Sequence, residues 1–402
     1  MKNTYDLIVI GSGLGGLTAG AELASRGQRV LVLEQHFQVG GSATSFKRKG
    51  FTYEAGLHMT AAIDEESDQY DFFKKCGLLE KLTYVPAPEF YCFKGKGFEF
   101  LFGNDVEDNI RRLKEMFPDE ARGIDTYFQT IFSVHDKTME LSKLSGLRRL
   151  FALLISPLFY PKVLTSMFGN VGNFLDRLFR DERIKEILLA NIGYYDDDPY
   201  ELSLLFYAIA QTGYYRKGGY YIQGGSHRLP YAMAEYITLQ GGEVLTSKQA
   251  TKILVENGLA VGVEYRDSKD TAAEPALSRA YAPVIIANAA IPNVANELLD
   301  DGIAPSWKKK INKMKVGPSI MTVYIAMDKP LKAMGNTCYS CNYYDSKNFT
   351  LKEMAALHRA DFDERPFILC DYSQLDSQLT PEGSGYAVLS LFDYYEDWAG
   401  LS

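Results

Sequence analysis

An apolar run, Tyr5-Asp6-Leu7-Ile8-Val9-Ile10, opens the chain and stops abruptly on glycine. So short a run, β-branched at its centre and closed by a turn signal, predicts a buried strand. The stretch from Leu14 to Gly27 predicts a helix, and Arg29-Val30-Leu31-Val32-Leu33 a second strand. Asp64 to Leu82 also predicts a helix, and Glu89 to Phe93 with Phe98 to Phe102, joined through Gly95-Lys96-Gly97, a hairpin. From Asp105 to Ile192 the spacing is mostly helical, with a start signal at Pro118-Asp119-Glu120. Strand patterning then returns. Gly241 to Thr246 is a short strand, Thr251 to Val255 and Ala260 to Tyr265 form a hairpin about Asn257-Gly258, and Val284 to Asn288 is a buried strand. Ser319 to Met327, Phe367 to Asp371 and Ala387 to Phe392 predict three more.

The order strand, glycine turn, helix, strand, acid carries chemistry. In Gly11-Ser12-Gly13-Leu14-Gly15-Gly16, Gly11 permits the tight turn, Gly13 lets the backbone approach a pyrophosphate, and Gly16 lets the helix pack on the strand. A phosphate then sits at the helix N-terminus. Glu34 ends the second strand, placed for a ribose diol and hostile to a 2′-phosphate. Close behind it, Gly40-Gly41-Ser42 brings a second backbone to the same ligand and favours a large, extended one, FAD over NAD. The expected fold is α/β: a Rossmann-like FAD-binding domain of the glutathione-reductase type, with a discontinuous α+β substrate domain. The FAD-binding domain is assigned to 1–75 and 215–300, the substrate domain to 76–214 and 301–402.

At 402 residues and 46% hydrophobic, the chain can build two cores, and a net charge of −8 without a long basic stretch argues against nucleic acid. The first apolar run is a strand and not a signal peptide, so a cytoplasmic location is expected, with peripheral membrane contact. That contact is assigned to Leu147 to Phe168, an apolar stretch with a basic rim, too short and too broken by Pro157 and Pro161 to span a bilayer. A core helix is its plainer reading. The five cysteines are too scattered for a disulfide framework, and Cys338-Tyr339-Ser340-Cys341 continues like a strand into Asn342-Tyr343-Tyr344. No metal site is expected. His135, His227 and His358 read as isolated core or surface residues, Asp196-Asp197-Asp198 as a turn and helix start, and Arg216 and Lys217 as part of a loop.

Four segments add specificity: Gly40-Gly41-Ser42; Gly50-Phe51-Thr52-Tyr53-Glu54-Ala55-Gly56-Leu57-His58; Phe117-Pro118-Asp119-Glu120 leading to Ile124-Asp125-Thr126-Tyr127; and Lys217-Gly218-Gly219-Tyr220-Tyr221-Ile222-Gln223-Gly224-Gly225-Ser226. In these the chain resembles the phytoene desaturase, carotene isomerase and retinol saturase group of FAD enzymes, most closely the retinol saturase branch, from Tyr5 through Tyr395-Glu396-Asp397-Trp398. It departs from many relatives at Ser42 (Arg there), Glu54 (Asp) and Ala250 (Val). The resemblance implies FAD held by Gly11, Gly13, Gly16, Glu34, Gly41 and Ser42, with Ser12, Gly15, Gln35, Ala250 and Asn288 completing the contacts. It places His58 near the isoalloxazine ring, as a polar contact or proton donor.

The resemblance also implies a lipophilic polyene substrate, carotenoid- or retinoid-like, held by aromatic walls that 27 Tyr and 23 Phe can supply. Hydride transfer at flavin N5 would serve saturation, desaturation or redox-assisted isomerisation, and the residues leave these three open. Two other readings share the fold: a non-catalytic isoprenoid-binding module and an amine oxidase. A further glycine-rich segment is expected beyond Ser402, so this chain is expected to be either a fragment or a short form with a partly open flavin site.

Overall fold

Leu7, Ile8, Val9 and Ile10 are all buried because their strand lies inside a sheet covered on both faces. The computed structural model describes residues 4–61, 63–65, 67, 69–146, 161–272 and 275–398. The sheet is parallel, ordered Glu243–Leu245, Val30–Leu33, Leu7–Ile10, Ile285–Ala287. Leu7, Val9, Val30 and Val32 face the Leu14–Ala24 and Arg228–Leu239 helices, where Leu17, Ala21, Met233 and Ile237 fill the core. Ile8, Ile10, Leu31 and Leu33 turn the other way, onto Ile253 and Val263 of a three-stranded antiparallel sheet. This Rossmann-like α/β arrangement is the expected one.

The larger sheet has six strands, ordered Ser319–Met327, Gly385–Asp393, Phe367–Asp371, Ser340–Tyr344, Tyr91–Gly95, Phe98–Phe102. All neighbours are antiparallel except Ser340–Tyr344 with Tyr91–Gly95. Helices Val106–Met116, Ala121–Ser142, Val171–Leu178, Glu182–Leu188 and Leu204–Lys217 build a second core around Phe93, Phe102, Tyr127, Ile131 and Tyr207. Between the two large sheets lie a Ser45–Arg48/Phe51–Glu54 hairpin and a small sheet of Thr60–Ala61, Gly219–Ile222 and Tyr84–Pro86.

Several elements differ from expectation. The Asp64 to Leu82 helix is two short ones, Tyr70–Lys75 and Leu78–Lys81, broken at Gly77, whose φ of +64° is left-handed. The hairpin about Asn257-Gly258 is longer than expected, Lys248–Glu256 with Leu259–Asp267, and carries a third strand, Leu277–Tyr281. Arg216 and Lys217 close the last turn of a helix and pair with Asp136 and Asp64. Of the Leu147 to Phe168 stretch, 147–160 lies outside the described residues; in the Pro161–Met167 helix Val163 and Ser166 are buried, while Met167 and Phe168 are exposed. No described helix is long and apolar enough to cross a membrane.

Candidate functional site

The Leu7–Ile10 strand delivers the chain into Gly11 at φ +95°, where a Cβ would stand 2.4 Å from the Asn288 carbonyl oxygen. Gly13 precedes the Leu14–Ala24 helix, and no side chain caps that helix. Its first-turn N–H groups therefore face the same space as the turn. The second glycine pair closes on the first: Gly13 and Gly40 bridge in parallel, and a Cβ on Gly41, at φ +59°, would stand 3.2 Å from Gly13 Cα. Gly16 packs against the strand so closely that a Cβ would meet the Gly11 carbonyl oxygen at 2.2 Å. The Asn288 amide lies along this turn, with Oδ1 2.9 Å from where a Gly15 Cβ would be. The result is a cradle walled by backbone, the form a pyrophosphate needs.

Glu34 is buried beside it and already engaged. Its Oε2 accepts from the Ser12 N–H at 2.8 Å and the Ser12 hydroxyl at 2.7 Å, and its Oε1 from the His36 N–H at 2.8 Å. Ser12, expected among the ligand contacts, is fully buried, and both its N–H and its hydroxyl donate to the acid. Oε1 keeps a lone pair for a ribose hydroxyl. Ser247 and Lys248 hang by their N–H groups on the carbonyls of His36 and Glu34, which brings half-buried Ala250 to this end of the cradle. Gln35 is exposed, and its carbonyl accepts from the Ser268 hydroxyl.

Glu54 links two of the segments quoted above. Its carboxylate accepts from the Tyr221 hydroxyl at 2.6 Å, the Ser226 N–H at 2.8 Å and the Ser226 hydroxyl. Burial pushes this carboxyl above the ordinary range, although all three partners favour its ionised form. Four residues on, His58 Nδ1 lies 2.7 Å from the Tyr194 hydroxyl, and the Tyr339 hydroxyl donates to the His58 carbonyl. Burial lowers the His58 pKa to about 4, so the ring is neutral at physiological pH.

His58 also lines a cavity of about 380 Å³. Ser42, Gly56 and His58 form its cradle side. The six-stranded sheet supplies the floor through Ile320, Thr322, Ile368, Ser390 and Phe392, which share a face because Thr322 and Ile368 both register on Ser390. Tyr194, Tyr344 and His358 complete the wall, and among the described residues no carboxylate, lysine or arginine lines it. Sequence reading missed Tyr194 and Tyr344 and set His358 aside as isolated. The one signal was a hydroxyl residue two places from an apolar one in each of two strands, Ile320/Thr322 and Ser390/Phe392.

The remaining candidates are structural. All five cysteines are buried and free, and Cys92, Cys338 and Cys341 pack together. His227 meets the Ser45 hydroxyl, and His135 meets Asp136. Asp196 caps its own turn through the N–H groups of Asp197 and Asp198, and Asp197 accepts from Tyr394.

Residues 14–357 match the sequence profile of the flavin containing amine oxidoreductases. The chain belongs to this family. Within the flavin containing amine oxidoreductases it is 27% identical over 363 residues to an all-trans-retinol 13,14-reductase of Rattus norvegicus, covering 84% of this chain and 56% of the relative. It is 23% identical over 397 residues to a 4,4'-diapophytoene desaturase (4,4'-diapolycopene-forming) of Methylomonas, covering 95% and 72%. An oxidoreductase structure from Methanosarcina mazei superposes with a TM-score of 0.63 at 19% identity, covering 98% of this chain and 81% of that one. The chain spans about half the length of the mammalian retinol reductases it matches.

Proposed function

We propose that this chain is an FAD-dependent oxidoreductase whose cavity holds a lipophilic polyene, carotenoid- or retinoid-like, and exchanges hydride with its C=C bonds. The observation that carries this reading is the cavity wall: apolar strands and tyrosines next to Ser42 and His58, without, among the described residues, a charged side chain to meet a polar substrate. FAD fits the residues present. Gly11, Gly13, Gly15, Gly16, Gly41 and Asn288 would hold its pyrophosphate region, Glu34 with Ala250 its ribose and adenine end, and Ser42 and His58 would face its ring. When bound, the flavin supplies hydride acceptance or donation at N5.

The protein's part is orientation and exclusion of water. Phe392, Ile368 and Ile320 fix a flat hydrocarbon against the sheet. The His58–Tyr194 pair holds a proton at the cavity wall, as saturation of a double bond requires. In this reading 1–75 with 215–300 bind the cofactor and 76–214 with 301–402 the substrate. Delivery from a membrane surface through the Leu147 to Phe168 stretch belongs to the same proposal, and Met167 and Phe168 at its end are exposed.

The test is a purified, FAD-reconstituted chain titrated anaerobically with retinoids, carotenoids and a panel of amines while the flavin spectrum is followed. We expect spectral change with polyenes in the oxidised or the reduced state. A response to amines alone, or failure to take up FAD, overturns the proposal.

A further inference from the structure

His358 and Tyr344 sit at the cavity wall, and their hydrogen bonds fix a polarity there. His358 is 2% exposed, and its Nδ1 lies 3.1 Å from the carbonyl oxygen of Asp197. A carbonyl only accepts, so Nδ1 carries the ring hydrogen. Burial lowers this histidine to about 4, so the ring is neutral and Nε2 bears a lone pair. The Tyr344 hydroxyl, 3.1 Å from Nε2, must therefore be the donor in that bond. Its single hydrogen is committed and only its lone pairs remain. The supports are rigid: the Asp197 carboxylate is held by the Tyr394 hydroxyl at 2.7 Å, the His358 ring packs 4.6 Å from Phe392, and Tyr344 stacks on Phe93 and Phe349.

We propose that Tyr344, locked by His358 as a pure hydrogen-bond acceptor, is a specificity residue that selects a substrate whose apolar chain ends in a hydroxyl. The proposal rests on the polyene reading above and adds to it which terminal group the cavity takes. A carbonyl end would set lone pairs against lone pairs. A carboxylate or ammonium end would be buried without a countercharge, since among the described residues no charged side chain lines the cavity. An alcohol donates to Tyr344 and can still accept from Thr322 or Ser390, whose hydroxyls rotate.

The test uses the FAD-loaded full chain and equilibrium binding of retinol, retinyl methyl ether and retinal, read from protein fluorescence and from the flavin spectrum without turnover. For the unaltered chain we expect retinol to bind roughly three- to tenfold more tightly than the ether or the aldehyde, the yield of one net hydrogen bond. Tyr344→Phe should bring retinol down to the ether and leave ether binding as it was. His358→Leu frees the Tyr344 hydrogen to point into the cavity and should shift preference towards retinal. Equal binding of the three ligands by the unaltered chain, or a retinol preference that survives Tyr344→Phe, overturns the assignment and leaves the polyene reading standing. If none of the three binds while carotenoids still perturb the flavin spectrum, this inference falls and the polyene reading stands; if no polyene perturbs it, both fall.

Discussion

Glu186 and the two cavity histidines show what burial does to single groups. His58 and His358 are both held at about 4, so neither ring carries charge in the working range, and each acts through hydrogen-bond geometry. Glu186, 5% exposed, is pushed the other way, up to about 8, by burial first and by Glu182 and Asp181 next. An acid raised in the folded state stabilises the fold fully below its unfolded value of about 4.3, and that stability is lost as pH rises through about 8. Glu186→Gln should therefore match the parent near pH 5 and gain on it at about 1.4 kcal/mol per unit up to about pH 8, then level off. Urea unfolding at pH 5, 6.5 and 8 checks this, and a pH-independent difference would rule it out. Glu34 was legible as a ribose acid from its place at a strand end. That Ser12 occupies one of its oxygens was not, and neither was the Glu54 hub, because its partners Tyr221 and Ser226 lie 167 and 172 residues along the chain.

Elements with strong local signals were the more legible, and those that draw their identity from distant partners the less. The strand–turn–helix from Leu7 to Ala24 declares itself within 18 residues, through an apolar run, spaced glycines and a clean helical continuation. Leu204–Lys217 hides because Tyr207, Ala208, Gln211, Thr212 and Tyr215 are all buried, polar residues among them, so no polar face marks its period. Gly219–Ile222 pairs with strands from Thr60 and Tyr84, and nothing adjacent in sequence announces those partners. The glycine turn makes a sharp prediction. Gly16→Ala puts a methyl 2.2 Å from the Gly11 carbonyl oxygen and 3.1 Å from Val9 Cγ1, and backbone cannot yield as a flexible side chain would. We expect loss of retained flavin after gel filtration and a melting temperature lower by several degrees. Gly97→Ala, at φ +83° with open space around it, should cost about 1 kcal/mol and retain flavin fully.

At the scale of the whole molecule, the proposed FAD contacts come from the chain's first 58 residues and from Ala250 and Asn288, so the ligand would tie distant segments to one sheet. A ligand that binds only the folded state stabilises it by about 2.7 kcal/mol at a hundredfold excess over its Kd. Melting temperature should accordingly climb with the logarithm of added FAD and stay still with NADP, whose 2′-phosphate Glu34 opposes; no response to FAD would contradict the cradle assignment. The same sheet has a consequence for how the chain is born. Leu7–Ile10 is flanked by Val30–Leu33 early, but its other neighbour is Ile285–Ala287. At a synthesis rate of ~5–20 residues per second, the ribosome needs on the order of tens of seconds to make that neighbour. Throughout that wait an apolar strand stands with one edge open, the condition in which a strand pairs with the wrong partner.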